Sequence, residues 1–408
     1  MSRILYLIKR AYQIYKEGGK EKVIDRIEGN ASKIDVYACY GYTCDNTKIE
    51  LNEKEKENVG DIIIINWIIP DLNIGSGGHM NIFRFITFLE NMGMHNRIYL
   101  FQSNRFRDDS EFRSFLAEYY STSLANDKIE VYNTTQNVRY AQAVVATGWQ
   151  TAYFVRRFEN TDHKFYFVQD FEPYFYPMGS EYLLAENTYK FGFYGITAGD
   201  WLKEKLNKEY GMKTESFHFS YDKELYHKKE KRDNVNRLFF YARPVTPRRA
   251  FELGLLSLIE LYKRMPDIEV VFAGWDVSNY EIPFTHLNAG SVRLEELSDL
   301  YAQCDMCLVM STTNLSLLPL EIMASNSVVV CSEGENNEWF VNEDNAIIVP
   351  YDPYQIADTL QEYLKNKNKL EKYKKNGLEF VQKTSWEKEA QKVYNIIRSV
   401  VKGTEKTK

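Results

Sequence analysis

Apolar runs of strand length alternate with helix-like segments along most of this 408-residue chain, and this alternation limits its fold more than any other feature. The first run, residues 61–67, contains four consecutive isoleucines, and a glycine-rich loop and a helix-like segment follow it. Strands that are each followed by a helix are typical of parallel sheets with helices packed on their faces. The sequence therefore predicts an α/β protein whose binding loops lie at the carboxyl ends of its strands.

The predicted strands fall into two sets, separated by a charged stretch at residues 213–236 that contains few aliphatic side chains. The strands are residues 61–67, 97–101, 129–132, 143–146, 165–168 and 194–197 in the first set, and residues 238–241, 268–273, 306–310 and 328–331 in the second. A chain of this length is too long for one ordinary core. We predict a helical N-terminal extension (1–60), a first domain (61–212), a second domain (213–384) and a C-terminal helix (385–408).

The net charge and the number of cysteines argue against some classes of protein. The net charge of −6 argues against nucleic-acid binding, because no global positive field would attract phosphates. Five cysteines in a long chain fit a reducing cytoplasm better than a disulfide framework. Within residues 1–26, apolar side chains alternate with Lys and Arg, which predicts a basic amphipathic helix. This helix either packs against its own domain or makes peripheral contact with the inner face of a membrane.

Glu321 is a carboxylate within an apolar run, at the start of a predicted helix that follows a strand and a polar loop. Burying an unpaired carboxylate costs several kcal/mol, so we expect a partner for it. The alternative is a partly exposed glutamate that the helix dipole favours at this position.

Two further loops have the composition of anion sites. Gly75, Gly77 and Gly78 lie between the first strand and its helix, where glycines let backbone N–H groups approach an anion. A plain tight turn is the alternative for this loop. A second loop follows the strand at 238–241, and its guanidiniums suit the capture of a diphosphate unless it is a solvated basic loop. Its three arginines are Arg243, Arg248 and Arg249.

Residues 169–177 place Asp170 and Glu172 within an aromatic cluster just past a strand of the first domain. Aromatic faces and carboxylates together are typical of carbohydrate contact surfaces, and the alternative is an aromatic loop packed on its own domain. The sequence contains no Asp-x-Asp triplet, which argues against a site where a metal ion binds a nucleotide sugar.

These motifs resemble those of retaining family-four glycosyltransferases. The resemblance implies the GT-B fold, in which two Rossmann-like domains face each other across a cleft and the C-terminal helix returns to the N-terminal domain. Within this family, the segments Phe167-Val168-Gln169-Asp170 and Tyr241-Ala242-Arg243-Pro244, together with residues 248–252, are most similar to bacterial rhamnosyltransferases of S-layer and other surface glycans. The segments that carry the resemblance are the glycine loop, Phe167-Val168-Gln169-Asp170, Tyr241-Ala242-Arg243-Pro244, Arg249, Phe272-Ala273-Gly274 and Leu320-Glu321-x-Met323-Ala324.

The resemblance also implies roles for individual residues. Glu321 matches the second glutamate of the family's Glu-x7-Glu motif, which holds the ribose, whereas the first glutamate falls on Thr313. This departure leaves the donor-sugar contacts open, and Thr313, Asn314 and Ser316 are candidates to hydrogen-bond a deoxysugar. Arg249, with Arg243 or Arg248, matches the basic pair that binds the diphosphate, and Asp170 is a candidate to orient the acceptor hydroxyl. The remaining assignments are Gly77 and Gly78 facing the diphosphate, Val292 and Arg293 near the base, and Glu333 at the sugar hydroxyls or the ribose.

The implied activity is transfer of L-rhamnose from dTDP-L-rhamnose to a growing S-layer or O-antigen-like glycan, with retention of configuration and without a metal or cofactor. The implied partners are a nucleotide-sugar donor and a glycan acceptor, which is either free or lipid-linked. The implied location is the cytoplasm, either in solution or at the inner face of the membrane. The alternatives are a GT-B enzyme that uses another nucleotide sugar, a catalytically silent nucleotide- or glycan-binding protein, and an epimerase or phosphorylase of the same fold.

Overall fold

The computed structural model describes residue 20 and residues 34–72, 74–125 and 128–403 of the chain. The chain divides into two compact units, residues 1–46 and 47–408. In the first unit, helix α1 (Val36–Tyr40) begins after Asp35, whose carboxylate accepts hydrogen bonds from the backbone N–H groups of Tyr37 and Ala38. The amphipathic helix predicted within residues 1–26 lies outside the described residues, apart from Lys20.

The larger unit contains a seven-stranded parallel sheet in the order β3-β2-β1-β4-β5-β6-β7. Its strands are β1 (Ile64–Ile69), β2 (His95–Leu100), β3 (Glu130–Tyr132), β4 (Ala141–Ala146), β5 (Thr161–Val168), β6 (Tyr194–Ala198) and β7 (Thr214–Phe217). The helices of this domain are α2 (Glu53–Glu57), α3 (Gly77–Asn91), α4 (Asp109–Tyr119), α5 (Trp149–Arg157), α6 (Ser180–Thr188) and α7 (Asp200–Tyr210).

A second parallel sheet has six strands in the order β10-β9-β8-β11-β12-β13. Its strands are β8 (Arg237–Tyr241), β9 (Glu269–Ala273), β10 (His286–Gly290), β11 (Met306–Val309), β12 (Val328–Ser332) and β13 (Ile347–Val349). The helices that follow β7 in the chain are α8 (Phe251–Arg264), α9 (Leu294–Ala302), α10 (Leu318–Ala324), α11 (Glu335–Glu338), α12 (Pro353–Lys365), α13 (Asn368–Gln382) and α14 (Trp386–Val401).

The structure contains a strand at each predicted position, and it adds β7, β10 and β13. These three additional strands all lie at sheet edges. An edge strand is covered less completely than a central one, so its sequence need not be a continuous apolar run. Because β7 pairs with β6, the first sheet extends past the predicted domain boundary at residue 212.

The ends of the larger unit also pack on the first domain. Residues 47–60, predicted as part of a separate extension, join it through a β-bridge between Ile49 and Phe158 and a hydrogen bond of 2.8 Å from Asn52 N to Asn160 Oδ1. At the other end, α14 contacts α3 and the first sheet, with the rings of Trp386 and Phe85 5.9 Å apart. None of the described helices has the length and apolarity needed to cross a membrane.

The hydrophobic core has two parts. One cluster joins the two sheets and includes Phe239, whereas a second cluster packs the other face of the second sheet against α8 and α12 and includes Phe240. Successive side chains of a strand point to opposite faces of its sheet, so β8 contributes to both clusters.

Candidate active site

The loops that follow β5 and β11 meet between the two sheets. Asn314 Nδ2 donates a hydrogen bond of 2.9 Å to the backbone oxygen of Gln169. Nearby, the guanidinium carbon of Arg248 lies 4.2 Å from the centre of the Phe175 ring. The loops at the carboxyl ends of the two sheets therefore face each other across a cleft, the position that open α/β sheets use for ligands.

The glycine loop forms one wall of this cleft. Gly77 and Gly78 are exposed in the first turn of α3, and Gly75 before them has a left-handed φ of 76°. A Cβ atom added to Gly77 would lie 3.8 Å from Ser316 Oγ, so the amino end of α3 faces the second domain. The N–H groups of a first helical turn carry partial positive charge and attract anions. The loop thus lies where the sequence predicted an anion site.

The arginine loop forms the facing wall. Arg249 is 8% exposed, and its Nη1 donates a hydrogen bond of 2.8 Å to the backbone oxygen of Asn314. Burial lowers the pKa of the Arg249 guanidinium, and the neighbouring Arg248 and Arg243 lower it further. Arg248 is half-buried, and its Nε has no hydrogen-bond partner among the described residues. Arg243 lies farther out, with its guanidinium 5.8 Å from the Trp275 ring. Together these side chains concentrate positive charge opposite the amino end of α3.

Asp170 provides a carboxylate next to these arginines. It is 9% exposed, and burial raises the pKa of its carboxyl group, while the Thr313 hydroxyl and the guanidiniums of Arg248 and Arg249 oppose the rise. The hydroxyl of Thr313 faces Asp170, but their geometry falls short of a regular hydrogen bond. Thr313 therefore lies within the site, beside a carboxylate from the other domain.

Glu172 is buried and not available to a carbohydrate, which agrees with the alternative of an aromatic segment packed on its own domain. It is 7% exposed, its Oε2 accepts a hydrogen bond of 2.6 Å from Trp149 N, and its Oε1 accepts one of 3.1 Å from the Tyr166 hydroxyl. Burial raises the pKa of Glu172 to about 8. The side chain thus holds the short helix Glu172–Phe175 against the sheet. Tyr174 of that helix is exposed towards the cleft.

Two side chains near Glu321 favour its charged form, and both come from outside its own helix. Arg84 of α3 supplies an opposing positive charge and the Tyr226 hydroxyl faces the carboxylate, and both lower the pKa of Glu321. Burial nevertheless raises the pKa of Glu321 to about 7, and Asp222 adds to the rise. The half-buried carboxylate therefore faces helix α3 of the first domain.

Glu333 is exposed and lines a wide cavity of about 710 Å³ between the domains. The side chains around this cavity are polar or aromatic. They belong to Tyr174, Thr312, Glu333, Glu335, Asn336, Glu338 and Tyr351.

Val292 and Arg293 lie in the loop between β10 and α9, at the carboxyl end of β10. Val292 is half-buried against the core that joins the sheets, whereas Arg293 is exposed and its Nη2 pairs with Glu296 Oε1 at 2.7 Å.

Within the described residues, no cluster of three His, Cys, Asp or Glu side chains is arranged to hold a metal ion.

Two cleft residues escaped the sequence analysis. Arg84 lies two helical turns after Gly77, so it shares a face of α3 with the glycine loop. This spacing could have predicted that Arg84 lies in the cleft. Gln169 belongs to a predicted motif but was given no role of its own. Its side chain contacts Gly78 and Asn81, and its backbone oxygen contacts Asn314.

Comparison with known proteins agrees with this architecture. Residues 66–198 match the family described as the N-terminal domain of WsaF, and residues 236–361 match the family described as its C-terminal domain. The O-antigen biosynthesis protein RfbC of Myxococcus xanthus is 30% identical over 344 residues, which are 82% of this chain. The chain spans only about a quarter of RfbC, 27% of its length.

Solved glycosyltransferases share the fold at low sequence identity. Sucrose-phosphate synthase from Thermosynechococcus elongatus superposes with a TM-score of 0.63 at 14% identity, covering 84% of this chain and all of that one. HepE of Anabaena, in complex with UDP-glucose, gives 0.61 at 14% identity over 83% of this chain and all of its own. WaaG, involved in lipopolysaccharide biosynthesis, gives 0.57 at 11% identity over 82% of this chain and 99% of its own. The two WsaF domain matches together cover more than half of the sequence, and the chain therefore belongs to the WsaF family and has the GT-B fold.

Proposed function

We propose that this protein transfers L-rhamnose from dTDP-L-rhamnose to a growing surface glycan, with retention of configuration and without a metal ion. The observation that carries the proposal is the meeting of the amino end of α3 with buried Arg249 across one cleft. Two positive groups from different domains suit a diphosphate bound between them. The family match and the O-antigen relative support a surface glycan as acceptor, and the motif resemblance supports rhamnose as the sugar.

The reaction breaks the bond between the sugar C1 and the diphosphate oxygen and forms a bond from C1 to the acceptor oxygen. In the front-face mechanism that the family resemblance implies, the departing diphosphate oxygen takes the acceptor proton. Negative charge then grows on the diphosphate as the bond breaks. Arg249 and Arg248, with the amino end of α3, would stabilise that charge, so the proposal assigns this work to arginine rather than to a metal ion.

A second candidate is a protein of this fold that binds nucleotide without transferring sugar. The observation that favours it is Thr313, which replaces the glutamate of the family motif and is fully buried beside Asp170. Both candidates bind nucleotide, but only the glycosyltransferase transfers sugar.

Calorimetry with dTDP, UDP and GDP, followed by a transfer assay on a rhamnose-terminated acceptor, separates these candidates. We expect dTDP to bind most tightly and transfer to proceed in excess EDTA. Tight dTDP binding without transfer would favour the silent protein, and tighter binding of UDP or GDP would favour another sugar donor.

Arg249→Ala tests the assignment of the diphosphate site. We expect turnover to fall by about 10²-fold or more, as it does when one charge-stabilising donor is removed. The matched control is Arg232→Ala. Arg232 is exposed, its side chain pairs with Asp299, and its backbone N–H donates to the side chain of Gln303. Gln303 precedes β11, so Arg232 lies at the amino ends of the strands, at the opposite edge of the sheet from the cleft. Turnover near that of the wild type in a folded Arg249→Ala variant would remove the assignment.

A further inference from the structure

Asn314 makes hydrogen bonds through its backbone oxygen and through both polar atoms of its side chain. Its backbone oxygen accepts from Arg249 Nη1 at 2.8 Å and from Ser311 Oγ at 2.7 Å. Its side-chain Oδ1 accepts from Ser316 N at 2.8 Å, and its Nδ2 donates to the backbone oxygen of Gln169 at 2.9 Å. The residue therefore holds Arg249 with its backbone and the first domain with its side chain.

Gln169 extends this connection to the glycine loop. Its Nε2 donates a hydrogen bond of 2.9 Å to the backbone oxygen of Gly78, and its Oε1 accepts one of 3.2 Å from Asn81 Nδ2. Gly78 and Asn81 both lie in the first turns of α3. A continuous path thus runs from Arg249 through Asn314 and Gln169 to the amino end of α3.

We propose that Asn314 is a positioning residue that couples Arg249 to the amino end of α3, so that both meet the terminal phosphate of a bound nucleoside diphosphate. This inference rests on the proposed function. A guanidinium has five N–H donors, and the bond to Asn314 uses one of them to fix the orientation of the rest. A donor held in place loses less conformational entropy on binding than a free arginine side chain.

The residue type at 314 matters for this coupling. Nδ2 must donate to a carbonyl in the other domain while Oδ1 accepts from Ser316 N. Alanine removes both contacts and leaves the backbone oxygen that Arg249 uses. The variant Asn314→Ala therefore cuts the link between the domains without removing the arginine.

The test compares nucleotides that differ by one phosphate. By calorimetry with the full chain, we expect Asn314→Ala to weaken dTDP binding about tenfold, the equivalent of one hydrogen bond of about 1.4 kcal/mol, and to leave dTMP binding unchanged. Combining it with Arg249→Ala should weaken dTDP binding no more than Arg249→Ala alone. Asn395→Ala, an exposed asparagine on α14, is the control and should bind both nucleotides as the wild type does.

Two results would overturn the inference: wild-type affinity for dTDP in Asn314→Ala, or equal weakening of dTDP and dTMP, which would indicate a general structural role. Should Asn314→Ala fail to fold, Gln169→Ala carries the test, because it removes the contact with Gly78 and keeps the carbonyl that Asn314 uses. It should show the same selective loss of dTDP affinity. A wild-type protein that binds none of dTDP, UDP and GDP would instead contradict the proposed function.

Discussion

Glu321→Gln should make the unliganded protein more stable in alkaline solution. Glu321 is half-buried, with Arg84 and the Tyr226 hydroxyl near it, and burial still raises its pKa from the ordinary value of 4.5 to about 7. The charged form of this carboxylate is therefore disfavoured in the folded protein. Glutamine keeps the shape of the side chain and carries no charge at any pH.

The sign of the effect follows from proton linkage. The folded state binds the Glu321 proton more tightly than the unfolded state, so this group stabilises the fold at low pH. That contribution is lost as the pH rises from about 4.5 through about 7. A shift from 4.5 to about 7 corresponds to about 3 kcal/mol at most, and partial exposure of the group reduces it to about 1–2 kcal/mol.

Thermal unfolding between pH 5 and pH 9 measures this contribution. We expect Glu321→Gln to melt with the wild type near pH 5 and about 1–3 °C above it at pH 8.5. The exposed Glu224→Gln is the matched control and should follow the wild type throughout. A Glu321→Gln curve parallel to the wild type at every pH would refute the argument, and so would a lower melting temperature at pH 8.5. The same variant should bind dTDP more weakly, because the ribose loses its charged acceptor.

Two further variants probe the cleft and the packing around it. Asp170→Asn should lower kcat for an acceptor glycan and leave donor KM nearly unchanged, because the proposed role of Asp170 concerns the acceptor hydroxyl; unchanged steady-state kinetics would exclude that role. Gly199→Ala should cost about 3 kcal/mol of unfolding free energy in denaturant titrations, since Gly199 has a φ of 85° and an added Cβ would lie 2.5 Å from the Trp339 ring. Wild-type stability in Gly199→Ala would show that Trp339 can move aside.

The central strands and the positions of the glycine and arginine loops were predictable because their signals are local. Strands buried on both faces require continuous apolar runs such as the one at the start of β1, and sites at strand ends follow from parallel topology. Edge strands such as β7 are less completely buried and carry no such run. The sequence could not decide the role of Glu172, because a carboxylate in an aromatic segment looks the same in sequence whether it points outward or inward.

Contacts between the domains could not be predicted, because they depend on how two separate sheets are placed. Arg84 has no distinctive local pattern, and Asn314 was predicted only as a contact of the donor sugar, yet Arg84 faces Glu321 and Asn314 reaches Gln169. The partner for Glu321 was expected from the cost of burying a charge, but its identity required the three-dimensional structure.

The central claim is tested most directly by incubating the protein with dTDP-L-rhamnose and a rhamnose-terminated acceptor and determining the anomeric configuration of the product by NMR. We predict a new rhamnosyl linkage with the same anomeric configuration as the donor, formed in the presence of EDTA and lost in Arg249→Ala. A linkage of inverted configuration, or no transfer from this donor by a protein that binds dTDP tightly, would contradict it.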